Sequence, residues 1–173
     1  MSAAAPSVHA SAVRVGARAV LIRGPSGSGK SRLAFGLIVA GRSGQIPPAE
    51  LIADDRVFLE PRDGRLWVRP VPELAGLIEI RGLGIRRCDF ATEATVGLVV
   101  DLAAADAARL PETEALMIEL GGVLLPRLPV GAGYDPLPVV VAALTTEGVV
   151  AAASLDDCWK DFGNHMSHTI VTE

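Results

Sequence analysis

The chain has 173 residues, half of them hydrophobic, with 16 basic against 20 acidic side chains and a net charge of −4. That suits one domain with a substantial core, built from Ala, Val, Leu and Ile because aromatics are only 4% of residues. The acidic balance argues against a general nucleic-acid binder, and no apolar run approaches the ~20 residues of a membrane span.

In chain order, Met1 to Pro6 carries no charged segment followed by an apolar stretch, so no secretory signal is read there. Ser7 to Val15 reads as a strand, and Gly16-Ala17 as a tight turn into a buried strand, Ala19-Val20-Leu21-Ile22. His9 lies on the first arm, and pattern alone assigns it no role. Next comes Gly24-Pro25-Ser26-Gly27-Ser28-Gly29-Lys30-Ser31, which fits G-x-x-x-x-G-K-[ST], the phosphate-binding loop of nucleoside-triphosphate enzymes. The chemistry requires the order strand, glycine-rich turn, helix. Glycines let backbone N–H groups close around phosphate oxygens, the helix N-terminus faces negative charge, Lys30 reaches the outer phosphates, and Ser31 offers its hydroxyl to magnesium. Arg32 to Ala40 is the predicted helix, with Leu33, Leu37 and Ile38 on one face and Gly41 as its stop.

A loop over 42–48 delivers Leu51-Ile52-Ala53, a short strand ending in Asp54-Asp55. In α/β sheets ligands gather outside the carboxyl ends of strands. Two carboxylates there can hold magnesium or accept a proton, and side-chain alternation gives them different jobs. An Asp pair merely opening a turn is the competing reading. Arg56 to Glu60 and Arg65 to Arg69 form a predicted hairpin across Pro61-Arg62-Asp63-Gly64. Leu74 to Ile80 is apolar except Glu79, a charge that calls for either Arg81 or magnesium. Thr95 to Asp101 is a valine-rich strand, Leu102 to Leu110 a helical turn or two, and Ala115 to Leu120 pairs with Gly122 to Leu125. Residues 126–138 are irregular by their prolines and glycines, and Val139 to Leu144 reads as either a helix with its proline at the first turn or a strand, with the helix slightly favoured. Cys88 and Cys158 match no metal-ligand spacing and read as free thiols of a reducing cytoplasm.

Three stretches together resemble the catalytic domain of the HPr kinase/phosphorylase family over roughly residues 7 to 145. Val8-His9-Ala10 is similar to the family's Met-His-Gly hairpin. Gly24 to Ser31 followed by Leu51 to Val57 is similar to its phosphate loop and Ala-Asp-Asp strand. Ile78-Glu79-Ile80-Arg81-Gly82-Leu83-Gly84-Ile85 resembles its Leu-Glu-Ile-Arg-Gly-Leu-Gly-Ile stretch. The resemblance implies an α/β fold: a P-loop nucleotide-binding domain with a mixed β-sheet and flanking helices. It implies an ATP-dependent serine kinase for an HPr-like phosphocarrier protein of the phosphotransferase system, using ATP and Mg2+. Position by position, Lys30 would hold the β- and γ-phosphates, Ser31 and Glu79 would bind magnesium, and Asp54 would take the serine proton with His9 beside it. Asp55 would support the metal or the loop, although sequence alone lets the two aspartates be exchanged. Arg109 falls where the family has a functional arginine near the phosphates.

The departures shape these expectations. The short form carries the catalytic domain alone, over 1–146, with 147–173 as a C-terminal extension expected to be disordered in part. Arg86 to Glu93 is shorter and differently charged than the family's carrier-contacting loop. Pro129-Val130-Gly131-Ala132-Gly133-Tyr134 lacks both arginines of a segment linked to dephosphorylation, so reverse phosphorolysis is expected to be weak. The alternatives are a P-loop kinase for a small hydroxylated metabolite, or a nucleotide-sensing module without catalysis. A cytoplasmic location, no nucleic-acid or membrane partner, and homo-oligomers like the family's hexamers complete the expectation.

Overall fold

The computed structural model describes residues 6–147. Within them, eleven strands and two α-helices alternate with short turns: β1 (Val8–His9), β2 (Ser11–Val15), β3 (Arg18–Arg23), α1 (Lys30–Arg42), β4 (Ala49–Ala53), β5 (Arg56–Arg62), β6 (Arg65–Pro70), β7 (Leu77–Ile80), β8 (Gly84–Arg87), β9 (Ala94–Leu102), β10 (Met117–Leu120), β11 (Val123–Val130) and α2 (Pro136–Thr145). This is the expected mixed α/β fold. The C-terminal extension and Cys158 lie outside the described residues. Among the described residues, no helix is long and apolar enough to cross a membrane.

The main sheet runs β1-β5-β6-β9-β3-β2-β4. Its ends meet, because β1 leads into β2 and β4 leads into β5, so the strands close into a ring. β9 is its spine. It pairs along its length with β3 in parallel, while its other edge takes β6 antiparallel at Ala94 and Thr95 and β11 in parallel from Val99 to Leu102. Alternation along each strand sorts side chains to the two faces. Ala19, Leu21, Val96 and Val99 point into the ring, where Ala10, Ala12, Ala53 and Ala94 keep the filling small enough for closure. Val20, Ile22, Leu98 and Val100 point outward, where Leu33, Leu37 and Ile38 of α1 and Val140 and Leu144 of α2 cover them. The scarcity of aromatics follows from this narrow interior.

Asp63 and Gly64, both at positive φ, close the β5–β6 hairpin as expected. Gly121-Gly122 turns β10 into β11, and α2 starts with Pro136 behind an Asp135 cap that accepts from the Leu137 N–H. Four expectations need correction. Ser7 to Val15 is not one strand: it divides at Ala10, and β1 moves to β5. Gly41 does not stop α1, which runs on to Arg42; a Cβ at Gly41 would meet the Ala49 backbone nitrogen at 2.7 Å, so this glycine permits contact with β4. Residues 103–110 hold turns rather than helix, with Ala103 at φ 54. Pro126 and Pro129 lie within β11, not in irregular chain, Pro126 opposite Met117 and Pro129 opposite Asp101.

An ion-pair network ties the carboxyl ends of β3 and β9 to the middle of β11. Asp101 accepts from Arg23 Nε and Nη2, both at 2.7 Å, and from Arg127 Nε at 2.6 Å; Arg127 also donates to Asp106 and to the Ala115 carbonyl. Burial opposes ionisation of Asp101, but the hydrogen bonds from Arg23 and Arg127 outweigh it and hold its carboxyl below the usual carboxylate range.

Two outcomes are expected. Gly41→Ala gains about 1 kcal/mol of helix propensity but forces α1 off β4 at a cost of about 1–3 kcal/mol, so urea denaturation should give a net loss. Asp101→Asn should cost roughly 3 kcal/mol at neutral pH, because Arg23 loses its carboxylate partner and Arg127 keeps only the exposed Asp106. Since the folded carboxyl is the more acidic one, its contribution is complete above about pH 4 and is lost as pH falls through its lowered folded value. The gap between parent and variant should therefore narrow in acid. A gap that widens there would contradict the network.

Candidate active site

The phosphate loop follows β3 and precedes α1, as the motif demands. Its three glycines all sit at positive φ (149°, 78° and 98° at residues 24, 27 and 29), conformations that L side chains rarely adopt. At Gly24 there is a second constraint, because a Cβ would fall 3.0 Å from the Leu102 carbonyl oxygen. Gly29 is the N-cap residue of α1 and offers no side-chain cap. The helix's first N–H groups thus remain open toward the loop, as anion binding requires.

Lys30 is buried, and its Nζ donates to the Gly24 and Pro25 carbonyls at 2.9 and 3.0 Å, folding the side chain back under the loop. Burial pushes its ammonium below the ordinary lysine value, while the charges of Asp55 and Asp54 oppose that shift. Ser28 Oγ is buried with no hydrogen-bond partner. A hydroxyl left unpaired in that position fits a loop built to meet ligand oxygens.

The two aspartates separate sharply. β2 and β4 change register between Ala12 and Val13, a bulge that leaves Ile52 and Ala53 both on the ring interior. The extra residue inverts the alternation and turns Asp54 toward α1. There it is 5% exposed and accepts three hydrogen bonds: Ser11 Oγ at 2.6 Å, Ser31 Oγ at 2.9 Å and the Glu79 backbone N–H at 3.1 Å. Asp55 is exposed, at φ 68, with its carbonyl taking the Ala10 N–H. Its Oδ1 lies 3.2 Å from His9 Nε2. The split between β1 and β2 makes this contact, because β1 pairs His9 with Arg56, the residue after Asp55. The expected neighbour of His9 was Asp54; the histidine meets Asp55 instead.

His9, the loop from Ser26 to Ser31, Arg32, Asp55, Glu79 and Arg81 border one cavity of about 610 Å³. Glu79 is an exposed side chain on that wall rather than a buried charge, which removes the reason for pairing it with Arg81. Arg109 lies in the exposed 103–110 turns and borders neither this cavity nor its neighbour beyond the loop. Two contributors escaped the sequence reading. Ser11 carried one available signal, a hydroxyl one residue before the apolar Ala12-Val13 pair. The Arg23–Asp101–Arg127 network carried none, since 78 and 26 residues separate its pairs.

The donor set also bears on magnesium. Among the described residues, no three of His, Cys, Asp and Glu stand close enough to hold a metal ion by themselves. The Ser31 hydroxyl beside the Asp54 carboxylate, with Glu79 bordering the same cavity, instead suits an ion that arrives with oxygen ligands of its own. Mg2+ is ordinarily held by one or two carboxylates, waters and substrate phosphates. The residues present fit that pattern.

Comparisons with known proteins agree with this architecture. The family model described as the HPr Serine kinase C-terminal domain matches residues 2–119. An HPr kinase/phosphorylase of Streptococcus thermophilus is 44% identical over 80 residues, covering 46% of this chain and 24% of that protein. One from Lactobacillus acidophilus is 41% identical over 80 residues, covering 46% and 23%. The chain thus spans about a quarter of the length of these curated relatives. A solved structure titled as the Hpr(Ser) kinase/phosphatase of Coxiella burnetii superposes with a TM-score of 0.63 at 23% identity, over 79% of this chain and 91% of that one.

The unequal burial of the aspartates has a direct consequence. Asp54→Ala strands three donors without their acceptor and should cost about 3 kcal/mol, whereas Asp55→Asn, which tolerates the same backbone, should change stability by less than about 0.5 kcal/mol. Paired urea titrations decide it, and equal effects would contradict the arrangement.

Proposed function

The chain belongs to the HPr Serine kinase C-terminal domain family, and from that premise we propose that it transfers the γ-phosphoryl group of ATP to a serine hydroxyl on an HPr-like phosphocarrier protein. The observation that carries the proposal is the pairing of a phosphate loop with two aspartates in unlike environments, one tied to Ser31 and one free in the cavity beside His9. A purely nucleotide-sensing module has no use for the second.

Phosphoryl transfer leaves the protein chiefly to position the reactants and neutralise charge. Lys30, freed from the Gly24 and Pro25 carbonyls, pairs with the β- and γ-phosphates, and the loop's N–H groups hold the remaining oxygens. Ser31 and Glu79 would hold Mg2+, with Asp54 behind the Ser31 hydroxyl; the ion when bound neutralises phosphate charge. The roles of the aspartates follow from their surroundings. Asp54 has its lone pairs committed to three donors, and Ser31 and Glu79 stand between it and the cavity. Asp55 faces the cavity with His9 orienting one carboxylate oxygen, so it is the better acceptor for the serine proton. We therefore exchange the two roles that the family resemblance implied, with Asp55 as base and Asp54 as the carboxylate behind Ser31. When inorganic phosphate attacks phosphoserine, the P–O bond to serine breaks as pyrophosphate forms, and Asp55 gives a proton to the departing serine oxygen. The absence of arginine between Pro129 and Tyr134 supports a weak reverse reaction.

The test mixes the full chain with ATP, magnesium and HPr, reads phosphoserine by mass, then adds phosphate and follows pyrophosphate. Phosphoserine should appear with the parent chain. Asp55→Asn should slow its formation by roughly 10²–10⁴-fold while ATP affinity stays within about threefold. Transfer by Asp55→Asn at the parental rate would return the base to Asp54. A chain that phosphorylates small alcohols and not HPr would overturn the protein acceptor.

A further inference from the structure

The phosphate loop has a second wall. Opposite the charged cavity, Pro25 to Ser28 also border a cavity of about 320 Å³, completed by Leu102 and Ala103 after β9 and by Val130 to Tyr134 after β11. The contrast between the two is chemical. The first holds Lys30, Arg32, Arg81, His9, Asp55 and Glu79. No residue bordering the second carries a charge. Ser26, Gly27 and Ser28 border both, so a single ligand can pass over the loop from one to the other.

We infer that this second cavity is the nucleoside subsite, taking the base and sugar of the nucleoside triphosphate, with the Tyr134 ring as the face on which the base stacks. The inference rests on the reading of the loop as an ATP site. A nucleoside triphosphate has one strongly anionic half and one neutral half. Its reacting end must lie by Asp55 and His9, in the charged cavity. Its neutral half must then leave over Ser26 to Ser28, and the uncharged cavity lies on that path. A volume of about 320 Å³ is at the lower end of the roughly 300–1,000 Å³ of small-molecule pockets. Leu102 and Val130 are buried and fix its floor, while Tyr134 stands 77% exposed on the rim, an aromatic ring in a chain that has one tyrosine and few other aromatics. Gly131 and Gly133 flank it, and Gly133 at φ 83 sets the turn that presents the ring. An exposed aromatic of this kind needs no base-specific hydrogen bond, because every base has a π-face. The subsite therefore predicts modest discrimination between ATP and GTP.

The experiment compares ATP, GTP and pyrophosphate by calorimetry, with magnesium, on the full chain and on Tyr134→Ala and Tyr134→Phe. Tyr134 is exposed, so both variants should fold. Tyr134→Ala should weaken ATP and GTP by roughly tenfold, as loss of one stacked base does, and leave pyrophosphate unchanged. Tyr134→Phe, which keeps the ring, should bind ATP like the parent. Unchanged ATP affinity in Tyr134→Ala overturns the subsite, as does an equal loss of ATP and pyrophosphate. If the parent chain binds neither ATP nor pyrophosphate, the reading of the loop falls and the subsite with it.

Discussion

The carboxylate of Asp54 is the constraint on which the site's construction depends. It is buried, and an ionised carboxylate away from water is tolerable only when its lone pairs are filled. Here they are filled from three separate elements: Ser11 of β2, Ser31 at the start of α1, and the backbone of Glu79 in β7. One acceptor thereby fixes the phosphate-loop helix to the sheet and holds the β7–β8 ribbon at the cavity's edge. The bulge between β2 and β4 exists in service of this arrangement, since without the extra residue Asp54 would point into the alanine-lined interior, where no donor waits.

From that anchor the remaining parts take their places. Asp55 must turn outward, and it does so at positive φ, a conformation that aspartate accepts more readily than most residues. His9 reaches it only because the N-terminal strand divides at Ala10. On the far side of the phosphate loop, Arg23 and Asp101 lock the last residue of β3 to β9, and Arg127 extends the lock to β11. The loop is thus gripped at both ends, through Asp54 behind its helix and Asp101 beside its strand. Charged side chains border the cavity where phosphoryl chemistry is proposed, and none borders the cavity on the other side.

Much of this was legible in the chain. The glycine-rich turn between β3 and α1 and the Asp63-Gly64 and Gly121-Gly122 hairpins depend on local backbone chemistry, and each formed where its residues predicted, whereas α2 starts at Pro136, three residues before the expected Val139. The failures were of another kind. Gly41 reads as a helix stop, but its missing side chain serves contact with Ala49 eight residues on. Residues 103–110 are rich in alanine, yet the Arg127–Asp106 pair and Ala103 at positive φ hold them as turns. Pro126 and Pro129 look like strand breakers, and β11 accommodates both at positions where no ladder N–H is needed.

By itself, then, the sequence determined that a glycine-rich loop joins a buried strand to a helix, that two adjacent carboxylates end a further strand, and that the fold is mixed α/β. These follow from spacing and residue type, which act over a few neighbouring positions. Which aspartate is buried and which is free, and which of them His9 meets, only the tertiary structure decided. A single bulged residue inverts the faces of a strand, and nothing in the letters Leu51-Ile52-Ala53-Asp54-Asp55 announces it, because the bulge is set by how β2 and β4 pair across the sheet.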